Sequence, residues 1–368
     1  MKVTFLSDTL QNKISFLNHA VSSHGQLPIL SNFLLEAKAG KLTISATDLE
    51  IAISSSIPVN VEEEGRITIP AKNFSDLFSN LVNQKITLRL DNGTLKLTGE
   101  KIKASFQTMP AEDFPNLYEE KGEEIMTVKK TEIEEYILRV VFAAAQDSSR
   151  PALSGVMLDK DKAEIVLVAT DGYRLSLQRN AFKTTGELKE PLVIPARIIR
   201  ELLFIKEEDA LLKIFVAKTK NQILFTQGDT TLVGRLIEDT YPEYEKIIPT
   251  DFSTKTEVNK DELLNAIKIC TVFARETANV IKLAVFKNKV VVSANSPSVG
   301  EDSVEIEAKT TGEENEIAFN AKYVLDILSA VSKEILVFEM TGPLNPGVFK
   351  IKDDNSFLHL IMPIRVQG

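Results

Sequence analysis

The residues of this chain whose types could do chemistry are three histidines, one cysteine and two aspartates in repeated ATD phrases, and none keeps catalytic company. His19, His24 and His359 are far apart in sequence, and neither HExxH nor paired CxxC occurs, so no zinc site is suggested. Cys270 falls in a helical apolar stripe, a poor place for a nucleophile. Asp48 in ATDLEIA and Asp171 in ATDGYRL each sit at a strand-to-strand corner, where aspartate is a common turn former. The other carboxylates gather in solvated clusters such as Glu62–Glu64 and Glu132–Glu135. Neither GxxxxGK[ST] nor GxGxxG is present, so no phosphate cradle is visible. The reading is of a protein that is not an enzyme, with no catalytic residue, no metal and no cofactor.

Composition agrees with a soluble globular chain. It has 368 residues, 43% hydrophobic and 26% charged, enough to fill two or three cores. No apolar run approaches the roughly 18 residues of a membrane span, and the N-terminus lacks the pattern of a signal peptide. One cysteine excludes an intrachain disulfide and points to a cytoplasmic protein. The net charge of −9 argues against a simple basic nucleic-acid module, although 43 Lys and Arg residues can still build a local positive surface.

What must position any site is a threefold repeat. ITIP at Ile67–Pro70, LVIP at Leu192–Pro195 and IAFN at Ile317–Asn320 are spaced by a constant 125 residues. The same offset aligns Phe74, Ile199 and Val324, then Leu77, Leu202 and Ile327, then Phe78, Leu203 and Leu328, all apolar at i, i+3, i+4. An earlier helix in each unit carries Leu10, Ile14, Leu17 and Val21; Ile133, Ile137, Val140 and Ala144; and Leu263, Ile267, Cys270 and Ala274, each a core-facing stripe. Alternating segments around these helices read as strands, with Asn92-Gly93 a strong hairpin signal. Each unit is thus two helices packed on antiparallel sheet, an α+β arrangement repeated three times. Boundaries are expected in the polar segments Tyr118–Glu124 and Pro249–Thr254, giving domains 1–122, 123–250 and 251–368.

Six phrases spread along the chain carry a resemblance: LPILSNFLLEA (Leu27–Ala37), FQTMPAEDFPNL (Phe106–Leu117), ATDGYRLSL (Ala169–Leu177), TYPEYEKIIP (Thr240–Pro249), FNAKYVLDIL (Phe319–Leu328) and IMPIR (Ile361–Arg365). Together they resemble the bacterial sliding clamp, the beta subunit of the replicative DNA polymerase III. The resemblance implies three similar domains per chain and two chains closed head to tail, with sheets outside and helices lining the hole. Helix arithmetic agrees: six helices at about 10 Å spacing leave a hole of roughly 9 Å, whereas twelve leave roughly 28 Å, enough for a duplex. The partners implied are a second copy of the chain, duplex DNA, and the polymerase catalytic subunit, clamp loader and other DNA-processing enzymes, which dock through short peptides. Two other readings remain, a non-ring scaffold built from the same repeats and an enzyme on that scaffold.

The resemblance also implies sites. The peptide groove maps to Leu153, Thr170, Gly172, Tyr173, Arg174, Leu175, Pro242, Lys246, Ile247, Asn320, Tyr323, Leu344, Pro346, Leu360, Met362, Pro363, Ile364 and Arg365. Aliphatic and Met side chains suit an adaptable pocket, and Arg174 and Arg365 are expected to orient a peptide's polar groups. Tyr173 stands where some relatives have histidine, Ala278 where some have an aromatic, and Val366–Gly368 extend beyond the last motif. The subunit junction would match Lys96, Lys101, Lys103 and Phe106 against Val272, Phe273, Glu301, Asp302, Glu305 and Glu307, a basic strand edge meeting an acidic one. Weak, sequence-independent phosphate contacts suffice for a ring, and the candidates are His24, Lys72, Arg150, Arg197, Arg200, Lys268, Arg275 and Lys333.

Overall fold

The structure, a computed structural model, describes residues 1–365 apart from 23–26, 119, 148, 162–163, 181, 183–185, 187, 189, 207–209 and 219–220. His24 and the tail Val366–Gly368 therefore lie outside the described residues. Six α-helices organise the described chain: α1 (Ser7–Leu17), α2 (Ala71–Ser79), α3 (Lys130–Val140), α4 (Ala196–Glu201), α5 (Lys260–Ala274) and α6 (Ala321–Ala330). No helix is long and apolar enough to cross a membrane.

The 125-residue repeat is physical. The strands Gly65–Pro70, Leu192–Pro195 and Asn315–Asn320 each run directly into a helix whose first residue is a buried alanine, Ala71, Ala196 or Ala321. Phe74, Ile199 and Val324 are buried as expected, as are Leu202, Ile327, Phe78 and Leu328. Leu77 and Leu203 are only half-buried. For Leu203 the reason is local: α4 stops at Glu201 and continues as a 3-10 turn, Leu202–Phe204, whose tighter winding rotates the stripe away. The first-helix stripes hold in the same way. Leu10, Ile14, Leu17, Ile133, Ile137 and Val140 are buried, but Val21 and Ala144 lie past their helices in extended backbone, and Val21 is half-buried. All four stripe residues of α5 are buried, Cys270 among them. Burial pushes the Cys270 thiol up to about 12, and the nearby Asp302 carboxylate adds to this.

The chain divides into two compact bodies, Met1–Glu132 with Lys183–Leu188 and Arg197–Leu236, and Ile133–Phe182 with Lys189–Ala196 and Ile237–Gly368. The first holds a five-stranded sheet and an eight-stranded sheet. In the smaller sheet Asn92 and Gly93 both take positive φ, the requirement of a two-residue hairpin, between strands Lys85–Asp91 and Thr94–Thr98. In the larger, strand Thr230–Arg235 pairs antiparallel with Ile51–Pro58. Residues from the first and second repeats thereby share one sheet. The second body holds a twelve-stranded sheet, in which Arg174–Asn180 pairs with Asp354–Ile361 and joins the second and third repeats in the same manner.

His359 is buried at that second seam. Its Nδ1 lies 2.6 Å from Ser176 Oγ, its ring packs 5.2 Å from Phe142, and its Nε2 has no hydrogen-bond partner among the described residues. Burial, with the Arg174 charge nearby, holds its pKa well below the usual 6.5. Folded, it stays neutral; unfolded, it takes up a proton below about pH 6.5, so stability is complete above that pH and declines as pH falls. Denaturation midpoints at about pH 7.5 and 5.5 should separate more for the native chain than for His359→Gln; equal separations would remove His359 as the cause. In the first body, Phe74 packs on Phe78 at 4.5 Å and on Phe106 at 5.6 Å. Phe74→Ala should cost about 3–5 kcal/mol in chemical denaturation, and a loss below about 1 kcal/mol would contradict its place in the core.

Candidate functional site

In the second body Leu153, Tyr173, Arg174 and Tyr323 gather around one turn, whereas Ile364 and Arg365 line a second hollow and Pro346 a third. Thr170 Oγ accepts from the Gly172 amide at 3.1 Å and donates to the Arg174 carbonyl at 2.6 Å. Asp171 Oδ1 accepts from the amides of Tyr173 and Arg174 at 2.9 and 3.0 Å. Gly172 takes φ +89, a conformation that favours glycine, and the turn presents Tyr173 at 64% exposure. Asp171 is the turn former that its corner position implied. The same turn is built at Thr47 and Asp48, with Leu49, Glu50 and Ile51 as donors or acceptors.

Main-chain bonds carry the C-terminal segment across this turn. The Met362 amide donates to the Tyr173 carbonyl and the Ile364 amide to the Ala318 carbonyl, both at 2.8 Å. Beneath lie Leu175 and Leu360, fully buried, and Tyr244 and Leu153 are nearly so. Tyr173, Ile247, Leu344 and Met362 are large apolar groups left exposed, and Pro242, Lys246 and Arg365 are also open to solvent. Pro346, Pro363 and Ile364 are half-buried. Asn320 is half-buried and caps α6 by accepting from the Lys322 amide. Such a set, a closed aliphatic floor under exposed apolar rims, fits a short peptide's apolar side chains. A cavity of about 450 Å³ opens beside it, lined by Leu153, Tyr173, Arg174, Lys322, Tyr323 and Arg150. Arg365 instead lines a larger hollow of about 1060 Å³ with Lys282, Asn295 and Glu301. Ala278 follows α5 at φ +54 and presents no ring.

Arg174 does something other than expected. It is buried, its Nε reaches Asp171 at 3.0 Å, its Nη1 Asp326 at 2.5 Å and its Nη2 the Phe142 carbonyl at 2.9 Å. The guanidinium also lies 4.6 Å from the centre of the Tyr323 ring and 5.5 Å from that of Phe142. Each nitrogen is engaged with the protein, so Arg174 supports the groove wall through Tyr323 instead of presenting donors to a peptide. Asp326 and Phe142 were missed by sequence reasoning, and His359 was read there only as an isolated histidine. The 125-residue offset between Glu201 and Asp326 was the available signal for the first.

Two strand edges are the second feature. Lys103–Gln107 ends the five-stranded sheet, paired on one side with Thr94–Thr98. In the long strand Gly300–Gly312, residues 300–307 pair with Lys289–Ser296, while only 308–312 pair on the other side. Among the described residues both edges are open. Alternation puts Lys101, Lys103 and Ser105 outward on one, and Glu301, Glu305 and Glu307 outward on the other. Lys96 is exposed and pairs with Asp91 at 2.6 Å, and Glu305 with Lys289 at 2.9 Å. Val272 is 58% exposed and Phe273 half-buried beside Gly300. Two expected contacts move. Phe106 points inward and sits edge-on to Phe74, and Asp302 points inward beside the Cys270 thiol with both carboxylate oxygens buried.

The basic residues proposed for phosphate contacts are mixed. Lys72, Lys268, Arg275 and Lys333 are exposed on or beside helices. Arg150 belongs to the small cavity. Arg197 ion-pairs with Asp48 at 2.7 Å and donates to the His19 carbonyl at 3.0 Å, so it is already committed. Arg200 is half-buried, and burial lowers its pKa. The basic residue of α3, Arg139, is buried against Glu135, Gln178 and Asp354. Among the described residues no cluster of His, Cys, Asp or Glu is placed to hold a metal.

Comparisons with known proteins follow this geometry along the whole chain. Models of the DNA polymerase III beta subunit match its N-terminal domain at residues 1–118, its central domain at 127–243 and its C-terminal domain at 245–365. The beta sliding clamp of Chlamydia muridarum is 28% identical over 100% of this chain and 99% of its own length, and that of Synechocystis 29% identical over 100% of both. The crystal structure of the DNA polymerase sliding clamp from Bacillus subtilis superposes with a TM-score of 0.93 at 28% identity, covering 100% of both chains. A Pseudomonas aeruginosa sliding clamp bound to griselimycin matches at TM-score 0.94 and 25% identity, again over 100% of both chains. Three domain models of one protein, in order and end to end, leave a single assignment: the chain belongs to the DNA polymerase III beta subunit family, the bacterial sliding clamps.

Proposed function

We propose that two copies of this chain close head to tail into a ring around duplex DNA, and that the groove at Tyr173 and Met362 tethers the replicative polymerase and other DNA-processing proteins by short peptides. The observation that carries this reading is the pair of open strand edges, basic near residue 103 and acidic near residue 305. An open edge seeks a strand, and these two are complementary in charge, so the pairing that satisfies them joins one copy to the next. The exposed apolar groups Val272 and Val299 beside the acidic edge add non-polar area to that contact. Domain boundaries are placed after residues 122 and 250. Three domains per copy make six per ring, the number that the helix arithmetic required for a duplex-sized hole.

Such a ring acts as an accessory subunit and holds DNA by topology. Weak phosphate contacts from exposed helical cations such as Lys268 and Lys333 keep it mobile, because strong base contacts would pin it. Opening requires another protein, since the sequence contains no ATP-binding motif. After loading on plasmid, the ring should persist on circles and run off linear ends; equal retention on both would rule out topological binding. In the groove, Met362→Ala with Arg365→Ala should reduce polymerase-peptide affinity at least about tenfold while the dimer survives, and unchanged affinity would refute the groove assignment.

A further inference from the structure

The apolar floor under the groove continues past it. Leu175 lies directly opposite Leu360, Leu360 opposite Val348, and Val348 opposite Glu339, so one row of cross-strand neighbours runs over four strands of the twelve-stranded sheet. Alternation puts these four side chains on a single face. Leu175, Leu360 and Val348 share an apolar cluster with Leu177 and Tyr244, and Leu358 packs against it. At the far end of the row Glu339 is buried between two ammonium groups, Lys350 at 2.6 Å and Lys255 at 3.3 Å. Lys255 also lies over one face of the Phe252 ring, 5.5 Å from its centre.

A small cavity of about 80 Å³ opens at that end, walled by Phe252, Pro346, Val348 and Leu358 with Glu339 at its polar side. Such a volume holds about two or three water molecules or a single aliphatic side chain. Phe252 is 49% exposed, and Pro346 and Leu358 are half-buried, so apolar surface is left there uncovered. The segment that carries Phe252 is pinned. The Ser253 amide donates to the Met340 carbonyl at 3.1 Å, the Thr341 hydroxyl to the Asp251 carbonyl at 3.0 Å, and the Ser253 hydroxyl to the Thr341 carbonyl at 3.0 Å. The wall therefore stands before any ligand arrives, which lowers the ordering cost of filling it. Both lysines neutralise Glu339, so an uncharged side chain enters without facing a bare buried carboxylate. Adjacent strands are about 4.8 Å apart, which places the cavity about 10 Å beyond Leu360, the span of about three extended residues.

We propose that this cavity is a further subsite of the groove. It takes an aliphatic side chain of a docking peptide, about three residues beyond the side chain seated over Leu175 and Leu360. The proposal rests on the peptide-groove reading above and adds a selectivity to it. Partners with an aliphatic residue at that distance bind more tightly than partners with a polar one, and Phe252 is the residue that tells them apart.

Fluorescence anisotropy with the full chain and a labelled polymerase docking peptide tests it. The peptide is used unextended, and extended at either end by Gly-Gly-Leu or by Gly-Gly-Ser. At one of the two ends the leucine extension should lower Kd at least about fivefold relative to the serine extension. Phe252→Ser should erase that difference while the unextended peptide binds within about twofold of its native affinity. Phe252 is exposed, so an unchanged melting temperature will show that folding is intact. No gain from leucine at either end, or a gain that survives Phe252→Ser, would overturn the subsite. Unchanged affinity of the unextended peptide for the chain with Met362→Ala and Arg365→Ala would overturn the groove reading itself.

Discussion

A strand edge carries unpaired amides and carbonyls, and the rest of this molecule follows from where they are covered. Within the chain two such edges are closed by the next repeat, at Ile51–Pro58 with Thr230–Arg235 and at Arg174–Asn180 with Asp354–Ile361. Each closure adds a row of backbone hydrogen bonds and brings polar side chains to the seam, Ser55 and Thr230 at the first and Arg139, Arg174 and His359 at the second, all buried. Lys103–Gln107 and residues 301–307 stay open and carry complementary charges, which suits these two edges to self-association.

The groove depends on the second closure. Pairing of Arg174 with Ile361 fixes the register that delivers Met362 to the Tyr173 carbonyl. The Arg174 guanidinium then braces Tyr323 from behind. Truncating it would leave the Asp171 and Asp326 carboxylates close together without their shared cation, so the wall of the groove and the seam are one electrostatic unit.

Much of this was legible in residue order. The threefold repeat, the helix stripes and the Asn92-Gly93 hairpin follow from periodicity and turn chemistry, and the buried state of Cys270 follows from its stripe. Exposure was less legible. Phe106 and Asp302 look like edge residues by position, but strand alternation turns both inward, and a one-residue uncertainty in strand phase reverses the face. Arg174 and Arg197 read as free cations because their partners, Asp326 and Asp48, are more than a hundred residues away. Leu203 shows the local limit: nothing in its sequence announces that the helix tightens after Glu201.

The two seams between repeats put their guanidinium on opposite sides. At the first it comes from the following repeat, Arg197, and occupies the Asp48 turn; at the second it comes from the preceding repeat, Arg174, inside its own Asp171 turn. Lys322, the counterpart of Arg197 at the 125-residue offset, bends back to pair with Asp326 instead of the turn aspartate. The repeats are therefore not interchangeable modules. A chain made by copying the central repeat into the third position would bring two guanidiniums to a single turn aspartate, whereas copying the first in place of the second would supply none. Each seam thus has a polarity: it fixes the side from which the guanidinium must reach the turn aspartate.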